Sequence, residues 1–90
     1  MLVTRKARFY GTVQGVNFRR NASARARSLG LTGWVRNLPD GSVEGEFSGE
    51  ESDVEQVLEY CLNSMPSAYV ARHEITEVEY REYPDFSIRR

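Results

Sequence analysis

The run Gly11-Thr12-Val13-Gln14-Gly15-Val16-Asn17-Phe18-Arg19 holds the residue types best suited to chemistry in this chain. Its two glycines, Gly11 and Gly15, let the backbone fold back so that successive N–H groups aim at one point. A helix starting near Phe18 would add unpaired N–H donors and the positive end of its dipole. Such a cradle suits a phosphate. Arg19 falls at the helix start, where a planar guanidinium can hold the same anion with two parallel hydrogen bonds. Each feature alone is commonplace, because a Gly-x-x-x-Gly stretch often serves as a plain strand-to-helix turn and most arginines at helix starts face water. Their coincidence in a segment free of carboxylates is what points to an anion site.

That segment is half of a division in the chain. The 12 Lys and Arg residues nearly balance 13 Asp and Glu, for a formal charge of −1 over 90 residues. Residues 1–39 nevertheless carry eight basic side chains and no acid, and residues 40–90 carry every acid and four arginines. The low net charge, with 21 Leu, Ile, Val and Phe residues, excludes a disordered chain. The length suits one domain with a modest core, so residues 1–90 are expected to form a single unit. The single cysteine, Cys61, excludes an internal disulfide, a Cys-rich metal site and a thioredoxin-type pair. With no apolar run suited to a signal peptide or a membrane span, a cytoplasmic protein is expected.

The elements that must position the loop follow from periodicity. Val3 to Tyr10 reads as a strand, with Val3, Ala7 and Phe9 on one face. From Phe18 the stripe Phe18, Ala22, Ala26 and Leu29 predicts a helix that stops at Gly30. Gly33 to Leu38 and Val43 to Phe47, joined by Pro39-Asp40-Gly41, predict a hairpin. A capping box, Ser52 with Glu55, predicts the start of a second helix whose stripe runs through Val54, Val57, Leu58, Cys61, Leu62 and Met65 to the stop at Pro66. Val70 to Tyr80 reads as a strand whose apolar parity changes between Ile75 and Val78, which predicts a bulge or a curved strand there. Phe86 to Ile88 could close the sheet as a short fifth strand. The order β-α-β-β-α-β is that of an α+β, ferredoxin-like two-layer α/β sandwich with a mostly antiparallel sheet. The same scaffold carries enzymes, RNA-binding modules and metal chaperones, so function must come from the site.

Two motifs carry a family resemblance. Gly11-x-Val13-Gln14-Gly15-Val16-x-Phe18-Arg19 resembles the first signature of the acylphosphatases, and Gly33-Trp34-Val35-Arg36-Asn37-x-x-x-Gly41-x-Val43, with Gly49 beyond, resembles the second. The resemblance spans essentially the whole chain and implies the same ferredoxin-like fold. It also implies hydrolysis of the carboxyl–phosphate anhydride of acyl phosphates to a carboxylate and inorganic phosphate, with no metal and no cofactor. On this resemblance Gln14, Gly15, Val16, Asn17 and Phe18 form the phosphate-binding loop. Arg19 is the arginine that grips the phosphoryl group, and Asn37 is the asparagine that positions the attacking water. Position 17, often glycine in similar sequences, is Asn here, read as a change in loop stiffness.

The residue inventory is compatible with that chemistry. Phosphoryl transfer through a loose transition state asks mainly for positioning and charge stabilisation, and a carboxylate leaving group needs no general acid. No Asp or Glu in the basic segment offers a general base, and Asn37 can orient water without taking its proton. The proton then has a phosphate oxygen of the substrate as its acceptor. His73 is assigned no role, and Cys61 is read as a buried, inert thiol. Glu44, Glu46, Glu50, Glu51 and Asp53 are read as a solvated face, and Trp34 as a core residue. Two rivals are an RNA-binding module of the RRM type and a non-catalytic acylphosphatase-like domain. Glu44 and Glu46 on the third strand oppose the first, and retention of Arg19 and Asn37 opposes the second. The partners expected are a small acyl phosphate and inorganic phosphate, with no nucleic acid and no membrane, acting on a monomer.

Overall fold

The computed structural model describes residues 1–90. In chain order it contains β1 (Leu2–Thr12), α1 (Phe18–Ser28), β2 (Thr32–Asn37), β3 (Val43–Glu50), α2 (Glu51–Glu59), β4 (Tyr69–Val78) and β5 (Phe86–Arg89). The strands form one sheet in the order β4-β1-β3-β2-β5, antiparallel throughout except for the parallel pair β2 and β5. Both helices lie on one face, where Phe9, Val35, Val43 and Phe47 of the sheet meet Phe18, Ala22 and Ala26 of α1, Val54 and Val57 of α2, and Cys61 just beyond it. This is the two-layer sandwich that the periodicity predicts. No helix is long and apolar enough to cross a membrane.

The second helix differs from its expected start. The chain passes from β3 into α2 without a loop, so the N-cap is Glu50, which makes no side-chain cap bond, and Ser52 lies inside the first turn. The Glu51 N–H donates to the Met1 carbonyl at 2.9 Å, which ends the strand pairing there and leaves no room for the predicted capping box. Past Glu59 the helix loosens into a π turn over Tyr60–Ser64 that ends before Pro66, a residue with no N–H to continue the ladder.

A register irregularity also falls elsewhere than expected. β4 keeps regular pairing with β1 from Glu74 to Val78, and the slip lies where Tyr10 pairs with Arg72 but Gly11 with Val70. β4 is an edge strand with little burial, so nothing forces its apolar residues onto one face and the parity change carries no bulge. At the real slip, Gly11 has φ +129°, and a Cβ there would lie 2.4 Å from the Tyr69 carbonyl oxygen. Only glycine fits that approach.

The second face of the sheet is the largest correction. Glu44 and Glu46 are 8% and 5% exposed and are not a solvated face. Basic β1 is paired between acidic β3 and acidic β4, so that Lys6 faces Glu46 and Arg8 faces both Glu44 and Glu74. Glu44 is held by Arg36 at 2.9 Å and Lys6 at 3.7 Å. Glu46 accepts a 2.6 Å bond from the Tyr83 hydroxyl and lies 3.8 Å from Arg81. The connection from β4 to β5 crosses this face to reach the opposite edge of the sheet, and the Arg81 N–H donates to buried Thr4 Oγ1 at 2.8 Å on the way. Trp34 is buried here too, outside the helix-side core, with the guanidinium groups of Arg36 and Arg89 5.3 and 4.8 Å from its ring centroid.

Candidate active site

The loop between β1 and α1 is pinned at both ends and exposed between them. Val13 is buried at one end, and at the other Phe18 packs on Phe9 with ring centroids 5.2 Å apart. Between these anchors Gly15 has φ +77° and Asn17 φ +62°, ψ +27°. Both sit in the left-handed region, which Gly enters freely and Asn enters more readily than other side chains. The Asn at position 17 therefore keeps the bend that a glycine would allow, with less freedom in the chain. Asn17 is the helix N-cap but makes no side-chain cap bond, and the first helical bond runs from the Asn21 N–H to the Asn17 carbonyl at 2.9 Å. The N–H groups of the first turn are thus left for an external acceptor.

A cavity of about 390 Å³ opens over this turn. The loop contributes Val13, Gln14, Gly15 and Asn17, α1 contributes Phe18, Arg19 and Arg20, and Asn37 comes from the end of β2. Asn37 shares the helix-side face with buried Val35 two residues earlier, so β2 delivers its amide beside the start of α1. Of the loop residues singled out from sequence, Val16 alone does not line the cavity and packs against the core. The Gln14 side chain reaches the hairpin, where Nε2 donates to the carbonyls of Leu38 and Ser42, each at 2.9 Å.

Two contributors carry no motif. Ile88 and Arg90 reach the cavity because β5 runs parallel to β2, and the Arg89 carbonyl lies 3.5 Å from Arg19 Nη1. Only the strand order could have revealed them. The cavity is lined by three arginines and no Asp or Glu side chain, and none of the ion pairs of the chain involves Arg19, Arg20 or Arg90. This arrangement concentrates positive potential beside the first turn of α1, whose N–H groups have no side-chain cap. The remaining candidates lie apart. Burial pushes the Cys61 thiol up to about 12, which keeps it protonated and unreactive, and His73 is exposed on β4.

Fold and site together define a ferredoxin-like protein with a small arginine-lined cavity at its β1–α1 loop. Residues 5–88 match the family model described as Acylphosphatase, and the chain belongs to the acylphosphatase family. An acylphosphatase of Thermoplasma volcanium is 51% identical over 90 residues, covering 100% of both chains. The solved acylphosphatase structures from Coxiella burnetii and Bacillus subtilis each superpose with a TM-score of 0.91 at 34% identity. The first match covers 98% of this chain and 93% of the other, and the second covers 100% of both.

Proposed function

We propose that this chain hydrolyses the carboxyl–phosphate bond of small acyl phosphates to a carboxylate and inorganic phosphate at the cavity between the β1–α1 loop and the end of β2. The observation that carries this reading is the meeting of Gly15, left-handed Asn17, Arg19 and Asn37 around one cavity without an acidic side chain. In this reading the backbone N–H groups from Gln14 to Phe18 and the Arg19 guanidinium hold the phosphoryl oxygens, and the Asn37 amide orients a water. The water oxygen bonds to phosphorus as the bond to the acyl oxygen breaks. The carboxylate leaves with the bonding electrons, and the water proton passes to a phosphoryl oxygen of the substrate, since no Asp, Glu or His lines the cavity. Every group invoked comes from a single chain, so one copy suffices.

Hydrolysis of benzoyl phosphate by the purified protein in the presence of a chelator tests this reading. Turnover that inorganic phosphate inhibits competitively is the expected result. Absence of turnover, with salt-sensitive binding of RNA instead, would overturn it in favour of a nucleic-acid module.

A further inference from the structure

The proposed activity leaves the Gln14 side chain without a task, since its amide nitrogen is committed to two carbonyls of the hairpin. We infer that Gln14 is a positioning residue. Resting on the hydrolytic reading above, its side chain locks the phosphate loop to the β2–β3 turn and thereby fixes the distance between the held phosphoryl group and the water that Asn37 orients.

The geometry is specific. Gln14 Nε2 carries two hydrogens, and each has its own acceptor at 2.9 Å, the Leu38 carbonyl and the Ser42 carbonyl. These two carbonyls are also the ones that shape the turn. Ser42 O accepts the Leu38 N–H at 2.9 Å, and Leu38 O accepts the Gly41 N–H at 3.1 Å. Gln14 thus adds a third strut to a turn whose first residue follows Asn37 directly. At its own backbone Gln14 precedes Gly15, the first left-handed residue of the loop. One side chain therefore ties the two halves of the site across a separation of 24 residues.

The turn is braced from the opposite face of the sheet as well. Arg8 Nη2 donates to Asp40 Oδ2 at 2.7 Å, Arg8 Nε donates to Ser42 Oγ at 3.1 Å, and the Ser42 N–H donates to Asp40 Oδ1 at 2.9 Å. With Arg8 holding the turn against the sheet, Gln14 is the link that sets where the loop sits relative to it. A donor with two hydrogens and this reach is required. Methionine has the length and no donor, and asparagine has the donor but is one methylene short of spanning to both carbonyls.

Gln14→Met and Gln14→Asn test the inference through benzoyl phosphate kinetics, competitive inhibition by inorganic phosphate and thermal unfolding, each variant made in the wild-type chain and in the Asn37→Ala chain. Because displacing a reacting group by about 1 Å can cost on the order of 100-fold, both variants should lower kcat roughly 10- to 100-fold. Their inhibition constant for phosphate should move less than about threefold, since backbone donors and Arg19 remain. In the Asn37→Ala chain the same substitutions should lower kcat no further, because the group they position is gone. A Gln14 residue that only stabilised the fold would show an equal fold-loss in both backgrounds, and that result overturns the inference. So does an unchanged kcat in a folded variant of either kind. If Gln14→Met does not fold, Gln14→Asn decides the question, and loss of folding in both would make Gln14 a structural residue and overturn its positioning role. Turnover by the wild-type chain with impaired turnover by Asn37→Ala keeps the hydrolytic reading intact whatever Gln14 does. A wild-type chain without turnover removes both.

Discussion

The outer face of the sheet and the cavity over the β1–α1 loop draw on the same basic half of the chain and use it in opposite ways. On the outer face Lys6, Arg8 and Arg36 meet carboxylates of Glu44 and Asp40 at 2.7 to 3.7 Å, and the charges cancel within the fold. At the cavity Arg19 and Arg20 meet none, and the only added side-chain charge is another arginine, Arg90. Positive residues thus take part in structure where strand pairing brings acids alongside and become available to a ligand where it does not. The first kind of arginine is a cross-strand partner, worth little singly when half exposed. The second kind has no carboxylate partner within the fold, and under the proposed function Arg19 holds the phosphoryl group.

The sharpest break of this contrast is Arg19→Ala. Under the proposed function it should lower kcat/KM for benzoyl phosphate by about 100- to 1,000-fold, the size seen when one donor to a developing charge is removed, and should weaken phosphate binding. Thermal stability should stay within about 0.5 kcal/mol of wild type, because no carboxylate loses a partner. A comparable loss of stability would place Arg19 with the structural arginines.

The reverse result is expected on the outer face. Tyr83→Phe removes the 2.6 Å bond to Glu46, a residue only 5% exposed, and should cost about 1–2 kcal/mol in urea unfolding with kcat/KM unchanged. A fall in activity larger than the fall in folded fraction would show that the two faces are coupled.

The smallest effect concerns acid. The Ser42 hydroxyl and backbone N–H, and then Arg8, hold the Asp40 carboxyl below its usual range. A carboxylate with a depressed folded value contributes stability that is fully present above the ordinary Asp value of about 4 and is lost as the pH falls through the lower folded one. Asp40→Asn should therefore flatten the acid limb of a plot of urea midpoint against pH and leave the neutral limb nearly level. An unchanged acid limb would remove Asp40 from the network that braces the turn.

Much of this was legible along the chain. Phe18, Ala22 and Ala26 announce α1, Val54 and Val57 announce the core stripe of α2 that Cys61 extends into the π turn, and the glycines before Arg19 announce the bend between strand and helix, because each signal is local. Three readings failed where the deciding contact came from far away in sequence. Ser52 lost its capping role to a bond between Glu51 and Met1. The parity change after Ile75 meant nothing on a strand with one neighbour. Glu44 and Glu46 looked solvated because period alone cannot show that residues 79–85 cross the face they occupy.

By itself the sequence determined the core faces of the helices, the order of the strands, the family and the bend between β1 and α1, since periodicity, turn chemistry and motif spacing are properties of neighbouring residues. Tertiary structure alone decided which arginines remain free, that Ile88 and Arg90 border the cavity, and that the amide of Gln14 faces the β2–β3 turn. These depend on strand order and register. Pairing brings a basic strand between two acidic ones, lays β5 parallel to β2, and sets the carbonyls of Leu38 and Ser42 within reach of a side chain more than 20 residues earlier.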